Sequence, residues 1–213
     1  AGTVDTSVIR GHLLEKAATV RIRITTKNPE TGEDTRFDVF QIKVYPANPT
    51  IPILLFNLEN RVTREDRFGG FLDVAPVAAS PADLKCLADG IRLLTDEYKI
   101  EYEPLRKRVV NMYKRDQWDS ALNAAVGIRL ELDAKQFDFV STAALKWIEW
   151  YFTIIDAKRN APYTIDDTDL MNTVRARILE FYMLKDVSFQ IIQKLGVPLT
   201  IMSGAHFPPT LHY

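Results

Sequence analysis

Cysteine and histidine are scarce in this sequence of 213 residues. Cys86 is its single cysteine, and its three histidines, His12, His206 and His212, have no metal-ligand spacing. One cysteine excludes an intramolecular disulfide and a cysteine-ligated zinc site. The sequence also lacks a glycine-rich phosphate loop and a Gly-x-Ser-x-Gly nucleophile motif. We therefore predict no metal site and expect other side chains to carry any chemistry.

Long apolar runs and an excess of charge are missing as well. No apolar stretch approaches the roughly 18 residues of a transmembrane helix, and no basic, apolar leader is visible. The 27 Lys and Arg residues nearly balance the 28 Asp and Glu residues, without the basic excess typical of nucleic-acid binding. We expect a soluble, intracellular protein, in the cytoplasm or in an organelle after removal of a targeting segment, with neither membrane nor nucleic acid as partner.

The order of apolar patterns predicts an α+β fold in one domain over residues 1–213. A helix is expected at Val4–Ala17, and turn residues at Lys27–Thr35 predict a hairpin. The other helices are expected after the capping residue Ser80 and over Pro104–Arg115, Phe139–Lys158, Asp167–Leu184 and Val187–Leu195. Strands are expected at Thr19–Thr26, Phe37–Tyr45, Pro52–Asn60, Gly70–Ala75 and Val126–Leu132. This order is typical of a three-layer α/β/α sandwich with a central antiparallel sheet.

Three of the predicted strands carry polar residues at alternate positions. If the strands pair in antiparallel order, Gln41, Lys43, Asn57, Glu59 and Asp73 converge on one face of the sheet. Such a face is either the wall of a pocket or the solvated side of an ordinary antiparallel sheet. We interpret it as a pocket wall, with the solvated sheet as the alternative.

The runs Val44–Leu54 and Leu72–Pro76 resemble those of the ferredoxin-dependent bilin reductases and the related red chlorophyll catabolite reductases. In those proteins an apolar strand ends in an aromatic-proline pair, as at Tyr45-Pro46, and a short loop leads into a strand that begins with proline. The resemblance implies an α/β/α sandwich that holds a linear tetrapyrrole between the sheet and the C-terminal helices. It also implies reduction by single electrons from ferredoxin, with no bound cofactor.

The sequence departs from that family at two positions. Many bilin reductases have a histidine and an aspartate where this chain has Gln41 and Asn57, and amides are poor proton donors. Glu59 and Asp73 are the acids that remain on the sheet, and we predict both to be catalytic. For Asp73 a structural role, as acceptor of hydrogen bonds at the following turn, is the alternative.

Further residues are predicted to bind the substrate. Trp147 and Tyr151 offer aromatic surface, and Asp156 and Arg159 offer charge, beside Gln41, Lys43 and Asn57 on the sheet. Aromatic residues at helical spacing also build cores, and charges at a helix end also complement its dipole. The basic residues within 106–115 are a candidate surface for acidic ferredoxin, with a solvated helix face as the alternative.

Three hypotheses of function follow from these residues. The first is a ferredoxin-dependent reductase of a linear tetrapyrrole. The second is a cofactor-independent cyclase or isomerase that acts on a small hydrophobic substrate in the same pocket. The third is a non-catalytic ligand-binding protein.

Overall fold

Six antiparallel strands form one sheet in the order in which they occur along the chain. The computed structural model describes residues 2–27, 32, 34–62, 66–113, 126–194 and 196–209. The strands are β1 Gly2–Ile9, β2 Leu14–Lys27, β3 Asp34–Pro46, β4 Ile53–Val62, β5 Asp66–Ala75 and β6 Ile128–Asp133. The helices are α1 Pro81–Glu97, α2 Tyr102–Tyr113, α3 Phe137–Lys158, α4 Ile165–Leu184, α5 Val187–Lys194 and α6 Leu199–His206, and a short 3₁₀ turn at Ala134–Gln136 precedes α3.

Helices cover both faces of this sheet, which confirms the predicted α+β sandwich. On one side, here called the α3 face, Leu54, Phe56 and Leu72 pack against α1 and α3. On the other side, the α4 face, Leu55 and Phe71 pack against α2 and α4. Successive side chains of a strand point to opposite faces, so β4 and β5 supply both cores. Central strands that are buried on both sides therefore read as nearly continuous apolar runs.

The predicted helix at Val4–Ala17 is wrong, because these residues form β1 and the first part of β2. Thr6 lies opposite Val20 in the antiparallel pair, and the Gly11 N–H donates to the Leu14 carbonyl oxygen over 2.8 Å in the connecting turn. Val4 and Val8 are four residues apart, a spacing that fits one face of a helix and equally one face of a strand. Pairing with β2 decides between the two.

The remaining predicted elements are present with shifted ends. Ser80 caps α1 as expected, its Oγ accepting from the Asp83 N–H over 3.2 Å. Helices α2, α3 and α4 begin two residues before their predicted starts. The expected ends of α2 at Arg115 and of α5 at Leu195 lie outside the described residues, as does most of the predicted turn between β2 and β3. None of the helices in the described part of the chain combines the length and apolarity that crossing a bilayer requires.

Asn48 ties the loop between β3 and β4 to the end of α3. Its Oδ1 accepts from the Thr50 N–H and Oγ, and its Nδ2 donates to the carbonyl oxygens of Lys158 and Ala161 over 3.2 and 2.8 Å. The Tyr151 hydroxyl adds a bond of 2.9 Å to the Pro52 carbonyl oxygen. The loop is therefore fixed by side chains that satisfy its backbone and that of the helix end.

Gly70 provides a test of the close approach between β4 and β5. Its φ is +103°, and a Cβ there would lie 2.1 Å from the Asn57 carbonyl oxygen. We expect Gly70→Ala to lower the free energy of unfolding by about 2–4 kcal/mol in urea denaturation. Gly204→Ala is the control, since a Cβ in that helix meets no atom within 4 Å and should stabilise by about 0.5–1 kcal/mol. Equal effects of the two variants would contradict the account.

Candidate functional site

The structure brings the five predicted polar residues of the sheet onto the α4 face. Gln41 lies opposite Asn57, and Lys43 lies in the same row as Asp73, with Leu55 between them. Gln41, Lys43, Asn57 and Asp73 are each at most 3% exposed, whereas Glu59 is half-buried. Of the five residues, Glu59 is the one that lines an open groove.

The groove lies between the ends of strands β4–β6 and helix α2 and has a volume of about 690 Å³. We call it the arginine groove, because four arginines line it: Arg61, Arg67, Arg108 and Arg129. Further lining residues are Phe37, Glu59, Phe68, Gly69, Gly70, Asn111, Met112, Glu131, Asp133 and Gln136. Sites for small molecules usually occupy about 300–1,000 Å³, so the groove has the size of a ligand site.

Strand alternation explains why the arginines converge. Arg67 pairs with Asp133 and with Arg61, and Arg129 pairs with Phe71, so all project from the same face as Glu59. Helix α2 adds Arg108, whose Nε lies 3.3 Å from Glu131 Oε2. Arginine presents a planar fork that binds carboxylate and phosphate groups by two parallel hydrogen bonds. Glu59, Glu131 and Asp133 line the groove as well, so its four arginines leave a net positive charge of one, which favours an anionic ligand.

Glu59 is held in a defined position at the groove. Asn57 Nδ2 donates to Glu59 Oε1 over 2.9 Å. Gly69 lies directly opposite Glu59 in the sheet, and a Cβ there would lie 3.3 Å from Glu59 Oε2. Because Gly69 has no side chain, the Glu59 carboxylate can lie against the backbone of β5 at this point. A carboxylate that is fixed at the groove can accept hydrogen bonds or a proton from the ligand.

Asp73 lies deeper on the same face and is fully buried. Its Oδ1 accepts from the N–H groups of Val126 and Gly127, each over 2.8 Å, and so holds the entry to β6 against β5. Oδ2 has no hydrogen-bond partner in the described part of the chain. Burial raises the pKa of the Asp73 carboxyl to about 6, although the backbone hydrogen bonds oppose this effect. This geometry provides a structural role, and the raised pKa also suits proton transfer near neutral pH.

Lys43 and Gln41 are covered by C-terminal helices. Lys43 Nζ lies between the rings of Phe71 and Tyr182, 5.1 and 5.3 Å from their centroids, and burial lowers the pKa of its amine to about 8. Gln41 Oε1 lies 2.6 Å from His206 Nε2 at the end of α6. Neither residue lines the arginine groove.

The remaining predicted binding residues lie elsewhere. Trp147 and Tyr151 are buried in the core of the α3 face, on the opposite side of the sheet from Gln41 and Asn57. Asp156 and Arg159 form an ion pair with each other at the exposed end of α3. The structure therefore does not bring these four residues together with the polar residues of the sheet.

Sequence reasoning missed Arg61, Arg67 and Arg129 as site residues. Arg61 and Arg67 lie beyond the strand ends predicted at Asn60 and Gly70, and Arg129 entered the sequence analysis only within the predicted strand Val126–Leu132. The available signal was that β4 and β5 continue past those ends with alternating side chains. In the described residues no group of three or more His, Cys, Asp or Glu side chains could hold a metal ion.

The buried Asp73 carboxyl predicts a pH-dependent stability. In the folded chain it keeps its proton up to about pH 6, whereas its ordinary pKa is 3.8. Between about pH 4 and 6 the folded state binds more protons, so the free energy of unfolding falls as the pH rises, by about 3 kcal/mol from this group. Denaturation of wild type and Asp73→Asn across this range should show the difference, because the variant lacks this titration.

Asp73→Leu is the control for the structural bonds. It leaves the N–H groups of Val126 and Gly127 without their acceptor, so we expect a loss of about 2–4 kcal/mol at every pH. Parallel pH profiles of wild type and Asp73→Asn would contradict the raised pKa.

Comparison with a family model places the chain in a family, and one curated relative agrees with it. The sequence model of the coproporphyrinogen III oxidase family matches residues 1–194. An oxygen-dependent coproporphyrinogen-III oxidase of Francisella philomiragia subsp. philomiragia is 22% identical over 196 residues. The match covers 87% of this chain and 62% of that protein, so the chain spans about three-fifths of the length of this relative.

The prediction of a bilin reductase is therefore wrong, and the ferredoxin partner loses its basis with it. The error has a physical reason: the aromatic-proline end of β3 and the proline before β4 belong to a turn chemistry that serves any two antiparallel strands. The tetrapyrrole part of the prediction agrees with the name of the family. The absence of a bound cofactor stays a prediction. With its match over residues 1–194, the chain belongs to the coproporphyrinogen III oxidase family.

Proposed function

We propose that the arginine groove binds a coproporphyrinogen-type tetrapyrrole through its propionate groups, and that the chain takes part in the oxygen-dependent oxidation of this ligand. The observation that carries the proposal is the set of four arginines in one groove of about 690 Å³. Family membership supplies the substrate class, and the name of the Francisella relative supplies oxygen as the oxidant.

The charges of the groove fit a macrocycle with carboxylates at its rim. Arg61, Arg67 and Arg129 come from three strands, and Arg108 comes from the helix that faces them. The arginines therefore stand on more than one side of the groove and can bind carboxylates at separate points of the rim. The ring itself would lie beside the Glu59 carboxylate, which packs against Gly69.

Glu59 is proposed as the group that receives a proton from the ligand. Oxidation that removes two hydrogens from the ligand gives two electrons and two protons, and oxygen takes up both to form hydrogen peroxide, so a base that accepts a proton from the ligand can pass it on to the reduced oxygen. The carboxylate of Glu59 lines the groove, and Asn57 holds one of its oxygens. The pyrrole N–H groups of the ring can donate hydrogen bonds to this carboxylate.

Asp73 is proposed as a second group for proton transfer. Its pKa of about 6 allows both protonation states near neutral pH, and its Oδ2 has no partner in the part of the chain that the structure describes. Asp73 does not line the groove, so it would act behind the ligand rather than in contact with the propionates.

The arginines can be tested by a binding titration with coproporphyrin III, the stable oxidised form of the proposed ligand. We expect Arg67→Ala and Arg129→Ala each to raise the dissociation constant by about tenfold, since each removes a charge-assisted pair. Added salt should weaken binding by wild type more than by the variants. The absorption change of the porphyrin is the measurement.

Arg159→Ala is the matched control for this titration, because Arg159 is an exposed arginine at the end of α3 and pairs with Asp156. Its affinity for coproporphyrin III should equal that of wild type. If Arg159→Ala weakens binding as much as Arg129→Ala does, the ligand does not occupy the arginine groove. Tighter binding of biliverdin than of coproporphyrin III would favour a linear tetrapyrrole instead.

The proposed reaction is tested by consumption of coproporphyrinogen III in air and without oxygen. We expect oxygen-dependent turnover that Glu59→Gln lowers by about 10²–10⁴-fold, while the affinity for coproporphyrin III changes less than threefold. Asn57→Ala should lower the turnover less, because the carboxylate remains but loses its support. Binding without turnover by the wild-type chain would leave a ligand-binding protein as the function.

A further inference from the structure

Three acidic side chains line the arginine groove beside its four arginines, although the groove is proposed to bind an anion. Glu59 has a proposed role in proton transfer. Asp133 caps the short turn before α3, where its Oδ1 accepts from the Lys135 N–H over 3.0 Å. Neither role applies to Glu131, whose carboxylate repels a negatively charged ligand. The presence of Glu131 in the groove therefore needs another explanation.

Strand pairing fixes the position of Glu131 in the groove. It lies opposite Gly69 of β5, which itself lies opposite Glu59 of β4, so the two glutamates share one row of the α4 face. Two strand spacings separate their backbones by roughly 10 Å. Glu59 is held within the sheet by Asn57, whereas Glu131 belongs to β6, the strand against which α2 packs. The two carboxylates therefore have different partners.

The partner of Glu131 is the arginine that α2 contributes to the groove. Arg108 Nε lies 3.3 Å from Glu131 Oε2, and Arg108 is the one of the four arginines with an ion pair among the residues that the structure describes. The two side chains are 42% and 66% exposed. An ion pair that is exposed to this degree contributes little to stability, because water screens its charges and two long side chains lose freedom. The place of the pair in the groove points instead to a role in binding.

We propose that Glu131 occupies Arg108 in the free protein in place of a ligand carboxylate, and that a carboxylate of the bound ligand displaces it. The inference rests on the proposed function, because the displacing group is a propionate of the tetrapyrrole. A guanidinium binds a carboxylate by parallel hydrogen bonds along one edge. Glu131 contacts Arg108 at the edge that carries Nε, so Glu131 and a propionate compete for the same donors.

This competition favours a ligand that carries several carboxylates. Glu131 is tethered beside Arg108, so its effective concentration there exceeds that of a single anion in solution. A propionate on a ring that Arg61, Arg67 or Arg129 already holds is tethered as well, so it competes with Glu131 on equal terms. Glu131 therefore excludes lone anions from Arg108 and admits a ligand that the other arginines have bound.

Titration with coproporphyrin III measures the competition. Glu131→Gln leaves Arg108 without its internal partner, and we expect the dissociation constant to fall about fivefold. In an Arg108→Ala background the same substitution should change the dissociation constant less than about twofold, because the arginine for which Glu131 competes is missing. Arg108→Ala should raise the dissociation constant about threefold in the wild-type background and about tenfold in the Glu131→Gln background.

Asp133→Asn is the matched control. It removes one negative charge from the same groove and the same strand, and asparagine keeps the acceptor that caps the turn. We expect Asp133→Asn to change the dissociation constant less than about twofold, since the groove charge alone acts through screened solvent. A larger effect of Glu131→Gln then reports competition for Arg108 and not the net charge of the groove.

The outcomes separate this inference from the proposed function. If wild type binds coproporphyrin III and Glu131→Gln binds it no more tightly than Asp133→Asn does, Glu131 does not compete for Arg108, while the groove remains the proposed binding site. If neither wild type nor Glu131→Gln binds coproporphyrin III, both proposals fail. The urea midpoint of Glu131→Gln should equal that of wild type, because the pair is exposed. A large fall in this midpoint would assign the pair a structural role and overturn the inference.

Discussion

The register of β3, β4 and β5 is the constraint on which the rest of the structure depends. Because side chains alternate with a period of two, a shift of one residue would exchange the two faces of the sheet. The observed register places Leu54, Phe56 and Leu72 in the core under α3. The same register places Glu59 and Arg61 on the α4 face, although both lie on β4 together with Leu54 and Phe56. One set of backbone pairings therefore fixes both the core and the groove.

The α4 face changes character along its length. At one end α4 and α6 bury Gln41, Lys43 and Tyr45, and the hydroxyl of Tyr45 donates to the His206 carbonyl oxygen over 2.6 Å. At the other end the same face lines the arginine groove. Buried polar groups need partners, and here the helix end supplies several of them. Polar residues on this one sheet face therefore bond to the covering helices where α4 and α6 bury them, and line the arginine groove where these helices do not.

Gly69 and Gly70 of β5 are required for two reasons, the close packing of two strands and the position of a groove residue. Gly70 allows β5 to approach the Asn57 carbonyl oxygen, an approach that no side chain would permit. Gly69 allows the Glu59 carboxylate to lie against the backbone of β5. The close packing of the strands and the position of Glu59 therefore share one cause, the absence of Cβ atoms at these positions.

The class of fold, the central strands and the identity of the polar row follow from the sequence, because apolar periodicity and capping residues such as Ser80 are local signals. The sequence could not determine the first strand, since the spacing of Val4 and Val8 fits a helix and a strand alike.

Nor could the sequence show that Trp147 and Tyr151 lie across the sheet from Gln41, or that Arg61, Arg67 and Arg129 meet Arg108. Those relations join residues far apart in the chain. Only the pairing of strands and the packing of helices on the sheet decided them.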